Sequence, residues 1–477
     1  MNMISLTFFA FTAVVFCALW LCGRFVKNEN TSIKLSKAVL LVSSYIFVLY
    51  ADVRFAAVLA VMSFVTYLCA KDTRRIAAGV AFALVCLGYF KYTNFFAESF
   101  ARLVGRDDFT ALNIILPLGI SFYVFSAISY LVDVKRGRLT ARNFADVALY
   151  LSFFPKLTSG PVQRSGDFFA QFETARRPGW NSFSAGVQIF AFGAFKKLVL
   201  ADRLSVFVNQ VYSTPEAFSW ISVTLAVLSY SAQIYFDFSG YSDMAIGIAK
   251  MFDINLPRNF NLPYLSRNVT ELWKRWHISL SSWLQEYLYI SLGGNRKGKV
   301  RTYINLVLTM VLGGIWHGAS WNYILWGLLH GLSLAVHKLW VGFTHSSKKA
   351  HSALSAAVCT VATFAFTSLC WVFFRIETTS QAMVVLRQIF TLGDGITHLY
   401  IWSFFAYGVL AVSTIAAAVK SRGIKHQPNH QNTCCVEGFY PLLDLSKFWH
   451  LVIFFVFCGL IIGLCYTGGS PFIYGAY

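Results

Sequence analysis

Apolar runs of roughly 14 to 22 residues recur along almost the whole of this 477-residue chain. In lipid such a run is stable only as a helix, because no water is there to satisfy an open backbone. A window of about 19 residues picks out candidate crossings at 4–22, 38–51, 55–70, 76–93, 111–132, 183–200, 218–238, 302–316, 321–341, 352–373, 399–419 and 448–466. These twelve define an all-α, multi-pass membrane protein. Several are shorter than the ~20 residues of a full crossing, so tilted, broken or re-entrant helices are expected. The stretches 145–159 and 240–254, interrupted by Pro155, Gly247 and Lys250, read as re-entrant or interfacial. The first run, Ile4 to Cys22, is followed by many like it and reads as a first span rather than a cleaved signal. A composition 57% hydrophobic and 13% charged, with mean hydropathy +0.57, excludes an ordinary soluble domain. No such domain fits the gaps, so 1–477 is read as one integral membrane domain. Its parts are N-terminal helices 1–110, a core 111–341, and C-terminal helices 342–477 ending in a tail 467–477.

The net charge of +19 raises nucleic acid as a partner, but the cations lie between apolar runs, as determinants of topology, so no nucleic acid is expected. With an even number of crossings, 31 of the 40 Lys and Arg residues fall in the loops of one side. That side is cytoplasmic, and both termini face outward. Most of the ten cysteines sit inside apolar runs, and neither a disulfide framework nor a zinc spacing is visible. The polar stretch 420–446 holds His426, His430, Cys434 and Cys435, but a vicinal cysteine pair suits a tetrahedral metal site poorly. It reads as a cytoplasmic loop, and no metal site is expected.

The region 231–341 is polar where a mere anchor would not be. After an apolar run come Gln233, Asp237, Gly240 and Asp243. Carboxylates at membrane depth pair, cap a broken helix or line a wet route. Next, Trp273, Trp276, Leu280 and Trp283 recur at helical spacing with Lys274 and Arg275 between them, the pattern of an amphipathic helix in the cytoplasmic interface. It is either an anchor with an incidental His277, or part of a basic stretch 258–301 that steers an anionic donor to a portal. The third element is Gly313-Gly314-Ile315-Trp316-His317-Gly318-Ala319-Ser320-Trp321-Asn322, followed by His330. A run of 15 residues rises about 22 Å against ~30 Å of hydrocarbon, which puts the His317 turn inside the membrane. An imidazole there, among small residues, can accept a hydroxyl proton at neutral pH. His330 reads first as a packing histidine.

Together, Arg275-Trp276-His277, Gly293-Gly294-Asn295-Arg296 and Trp316-His317-Gly318-Ala319-Ser320-Trp321 resemble the membrane-bound O-acyltransferases. Phe154-Pro155 to Gly160-Pro161 and Asp237 to Ala249 resemble that family's bacterial branch of alginate and peptidoglycan O-acetyltransferases. The likeness covers most of 115–341. It implies helices around a central tunnel, with His317 as the catalytic residue and His277 in the tunnel wall. It departs from the branch at Gln285-Glu286 and Ser291, on the cytoplasmic side. The terminal Phe472-Ile473-Tyr474, with Tyr477 three residues on, reads by composition as an interfacial aromatic anchor. By resemblance it looks like a terminal motif whose tyrosine enters the tunnel from outside and carries the acyl group as an ester. Tyr477 stands where phenylalanine is usual, which leaves either tyrosine open as carrier.

On this reading the chain moves an acetyl group from a cytoplasmic thioester, acetyl-CoA or an acyl carrier protein, to an extracytoplasmic polysaccharide. No cofactor is bound. The catalytic set is His317, His277 and Tyr474. The tunnel and substrate set is Trp316, Trp321, Asn322, Gln233, Asp237, Trp276 and His330, and Lys274, Arg275, Arg296 and Lys297 steer the donor. The expected partners are the bilayer, the polymer and an extracytoplasmic acyltransferase of hydrolase-like fold, and the expected location is the bacterial inner membrane. The alternatives are D-alanyl transfer to teichoic acid within the same superfamily, and a transporter, which internal pseudo-symmetry would favour and which the sequence does not display.

Overall fold

The computed structural model describes residues 3–105, 110–175, 177–344, 352–423 and 443–468, with the backbone alone over 417–423. Every regular element among them is helical: α1 Leu6–Phe25, α2 Glu29–Ala51, α3 Val53–Ala70, α4 Ile76–Leu103, α5 Ile120–Lys135, α6 Phe144–Ser152, α7 Phe154–Leu157, α8 Ser165–Ala170, α9 Trp180–Ala194, α10 Asp202–Ser213, α11 Trp220–Met251, α12 Val269–Arg275, α13 Ile278–Trp283, α14 Lys299–His317, α15 Trp321–Thr344, α16 Ala353–Arg375, α17 Thr379–Phe390, α18 Ile401–Gly423 and α19 Phe448–Leu464. A π-helical turn, Phe195–Ala201, joins α9 to α10, and another, Leu284–Tyr289, continues α13.

Among the described residues, seven helical segments are long and apolar enough to cross a bilayer: α1, α2, α3, α4, the run 180–213, α15 and α16. Two shorter apolar helices lie at Ile401–Ala416 and Phe448–Leu464. That count does not confirm the twelve crossings of the sequence reading. The helices carry bare apolar side chains outward, with Leu6, Leu103, Phe343 and Ile462 each at least 75% exposed. Water would penalise that surface, and lipid does not.

Three expectations need correction. The window 218–238 and the re-entrant stretch 240–254 are one 32-residue helix, α11, so Asp237 and Asp243 are not caps around Gly240. The window 111–132 is helical only from Ile120, where Gly119 turns the chain in the left-handed region (φ 74°). Finally, the tryptophan stripe 273–283 is no continuous amphipathic helix. It breaks between α12 and α13 at Trp276-His277, and Trp276, Leu280 and Trp283 are buried instead of lying at an interface.

The described residues divide into two compact units. The first comprises residues up to Phe190 together with Met244–Pro257. Its centre is α5, buried along nearly its whole length, with α3, α4 and α6 packed against it. Phe8, Phe11, Phe47 and Phe154 form a mutual ring cluster, and Lys37 bridges to Asp146 at 2.7 Å. The second comprises Ala191–Asp243 and the chain from Arg258 onward. Its core joins α10, α11, Trp276, Trp326 and α16. Within it α14 and α15 form a tight hairpin, permitted by Gly314: a Cβ there would run into the Tyr323 carbonyl.

Candidate active site

The candidate chemistry gathers in the second unit. His317 is the last residue of α14, His277 lies at the α12–α13 break and His330 is mid-α15. All three are buried, at 6%, 1% and 0% exposure. One aromatic cluster holds them. His317 packs edge-on to Trp326 (5.1 Å between centroids) and Phe374 (5.2 Å), and 4.9 Å from Trp316. The Trp316 ring stands 6.5 Å from His277, and Trp326 lies 5.0 Å from His330. Trp273, Phe366 and Trp371 complete the surround of His330. Two of the motif histidines are thus linked through one tryptophan, though 40 residues separate them in the chain.

The local folding explains the placement. Asn322 Nδ2 donates to the Ile376 carbonyl (2.6 Å), and the Thr379 hydroxyl donates to Asn322 Oδ1 (2.6 Å). Ser320 Oγ donates to the Glu377 carbonyl (3.1 Å). These three bonds fasten the turn that follows His317 to the segment between α16 and α17. The Asn322 side chain thus latches that turn in place. Trp321, expected with it, is 62% exposed at the start of α15.

His277 takes the left-handed conformation (φ 42°, ψ 53°), which few residues other than glycine adopt. Such strain, of order 1–3 kcal/mol, persists only where neighbours over-determine it, and it recurs at functional sites. Here two backbone bonds clamp the break from both sides, Asn261 N–H to the Arg275 carbonyl (2.9 Å) and Ile278 N–H to the Asn259 carbonyl (2.8 Å). The His277 ring sits 4.5 Å from Phe238 of α11. Trp276 packs among Tyr235, Phe260 and Trp371.

Gln233 and Asp237 are on α11, both buried. Gln233 Oε1 has no hydrogen-bond partner among the described residues. Asp237 forms part of an ionic network that the sequence reading missed. Lys197 Nζ reaches Asp237 (2.5 Å) and Asp202 (2.8 Å), while Lys196 Nζ reaches Asp243 (2.8 Å) and Ser239 Oγ (2.6 Å). Both lysines come from the π-helical turn, a wide turn common at functional sites. Gly240 lets α11 approach it, since a Cβ there would meet the Gly193 carbonyl at 2.7 Å. Two lysines inside an apolar span, followed by two carboxylates in the next, were the available signal.

The cationic set is only partly available. Lys274, Arg296 and Lys297 are exposed. Arg275, by contrast, is tied to Glu271 (2.7 Å) and to the Asn261 carbonyl (3.3 Å). Tyr474 and Tyr477 lie outside the described residues, as do His426, His430, Cys434 and Cys435. Among the described residues no group of three His, Cys, Asp or Glu side chains could hold a metal ion.

A buried imidazole beside small residues, held by aromatic rings and fixed by a latch, can exchange a proton with a hydroxyl in a dry site. The chain is similar to several known proteins. A peptidoglycan O-acetyltransferase of Helicobacter pylori is 40% identical over 341 residues, 66% of this chain and 64% of that protein. A probable alginate O-acetylase AlgI of Pseudomonas putida is 41% identical over 370 residues, covering 74% and 75%. A teichoic acid D-alanyltransferase of Streptococcus thermophilus is 30% identical over 239 residues, covering 47% and 57%. The chain thus spans just under two thirds of the first of these and three quarters of the second. Residues 38–380 match the family model described as MBOAT, membrane-bound O-acyltransferase family, and the chain belongs to that family.

Proposed function

We propose that this protein transfers an acetyl group from a cytoplasmic thioester, through the membrane, for O-acetylation of an extracytoplasmic polysaccharide. The observation that carries the reading is that the buried His317 and His277 both pack beside the Trp316 ring, within the stretch that matches the membrane-bound O-acyltransferase family model. Depth supports it too: from Arg301, the last cation of α14, to His317 the helix rises about 24 Å, short of the ~30 Å hydrocarbon layer. The O-acetyltransferase relatives match at higher identity and over more of the chain than the D-alanyltransferase, which favours acetyl over D-alanyl.

In this mechanism His317 removes the proton of an acceptor hydroxyl. The oxygen attacks the thioester carbonyl, the C–S bond breaks, and the thiolate leaves and takes up a proton. His277 lines the same route. The donor is acetyl-CoA or an acyl carrier protein, and its phosphate is attracted by Lys274, Arg296 and Lys297. The first acceptor is the Tyr474 hydroxyl of the C-terminal tail, entering from outside. A phenol of pKa about 10 needs such a base at neutral pH. The acyl-tyrosine then delivers to an extracytoplasmic acyltransferase of hydrolase-like fold, and from there to the polymer. The protein resides in the bacterial inner membrane with both termini outward.

Cells lacking the chromosomal copy test this. Wild type should restore base-labile acetate to the envelope polymer, and His317→Ala, present at equal membrane level, should not. Near-normal acetate with His317→Ala would remove the histidine from the mechanism.

A further inference from the structure

The strained conformation of His277 has a single hub beneath it. Asn259, itself 1% exposed, meets the α12–α13 break with its backbone carbonyl and its side-chain oxygen. Its carbonyl accepts from Ile278 N–H (2.8 Å). Its Oδ1 accepts from the Ser279 hydroxyl (2.5 Å) and faces His277 Nδ1 at 3.3 Å, while its Nδ2 donates to Ser242 Oγ on α11 (2.9 Å). Residues 277, 278 and 279 are thus each bonded to one asparagine, which is itself pinned to the helix carrying the Lys196–Asp243 pair one residue further on.

We propose that Asn259 is the positioning residue of His277, fixing both the ring's orientation and its tautomer. An amide oxygen can only accept, so the proton on the facing nitrogen is held at Nδ1 and Nε2 is left as the basic nitrogen. The Ser242 contact anchors the amide to α11. A flipped amide would put an N–H against Nδ1 and drive the proton to Nε2, which would then be unable to accept. The same residue holds the left-handed turn, so ring orientation and backbone conformation are coupled through one side chain. This inference rests on the reading of His277 as part of the acyl-transfer site.

The test uses initial rates of acetate incorporation into the envelope polymer, in cells lacking the chromosomal copy, at matched membrane levels of each variant. Such rates do not depend on which thioester is the donor. Asn259→Leu, nearly isosteric and without hydrogen bonds, should lower the rate roughly 10²-fold, the scale of a misplaced proton-transfer group. Asn259→Asp keeps the acceptor facing Nδ1 and should recover at least about tenfold of that loss, whereas a purely packing role would gain nothing from a buried carboxylate. In a His277→Ala background, Asn259→Leu should cost less than about twofold more, because residues acting as one unit are not additive. Asn259→Ser, smaller, is run in parallel and read identically if the leucine variant fails to accumulate. An undiminished rate in the leucine or serine variant, absence of rescue by aspartate, or a full independent loss in the His277→Ala background would overturn the assignment. A normal rate in His277→Ala alone would instead overturn the reading of His277.

Discussion

Lys196 and Asp243 form an ion pair at 2.8 Å with side chains 8% and 6% exposed, so neither charge can fall back on water. At an effective dielectric of about 20, their attraction is about 6 kcal/mol, and desolvating two ions costs several kcal/mol each. The intact pair is therefore worth little net. Removing one partner takes away that attraction while the other charge stays buried, at a cost of about 3–5 kcal/mol. Lys196→Met and Asp243→Leu should each be destabilised by that amount, and the double variant should regain most of it. With an unfolding entropy of about 2.1 cal/mol/K per residue, the whole chain has about 1 kcal/mol/K, so each single variant should lose about 3–5 °C in Tm. A thiol-reactive fluorophore reads this directly, because Cys370 is buried in the same unit and becomes labelled only on unfolding. Single variants at the wild-type Tm, or a double variant as unstable as the sum of the singles, would refute the argument that these charges depend on one another.

Charge reversal at Lys274, Arg296 and Lys297 together should raise the donor KM several-fold at low ionic strength, with the gap narrowing as salt screens the wild type. Reversal of Arg275 should act instead on folding, measured by monodispersity in detergent, because Glu271 already holds that guanidinium. Gly314→Ala should lower Tm by several degrees, since its Cβ meets backbone and no flexible side chain can yield. Asn322→Ala should reduce the acetylation rate at least tenfold with a smaller loss of stability, because it unfastens the turn after His317.

Much of this was legible in the sequence, for identifiable reasons. Apolar length forces helices in lipid, so the all-helical membrane class followed from the chain before any contact was known. The histidines of 277, 317 and 330 stood out as polar groups in costly surroundings, and they do share one cluster. The break at His277 was hidden, because a non-glycine residue in the left-handed region leaves no compositional trace, and the tryptophan spacing on either side imitates one helix. α11 was split wrongly for a related reason. A hydropathy window counts Asp237 and Asp243 as terminators, whereas in the fold Lys197 and Lys196 neutralise them from 40 and 47 residues away. The sequence implied that such charges must pair but could not name the partners. Asn259 carried no signal of its own, since its importance lies in what the chain brings to it.

The central claim is that the acetyl group crosses the membrane through the His317 site. Sealed inverted membrane vesicles, supplied externally with labelled acetyl-CoA at the former cytoplasmic face, test it most directly. The account predicts base-labile label on lumenal envelope polymer that external esterase removes only after detergent opens the vesicles, and no such label with His317→Ala. Label that external esterase removes from intact vesicles, or equal lumenal label in the alanine variant, would contradict it.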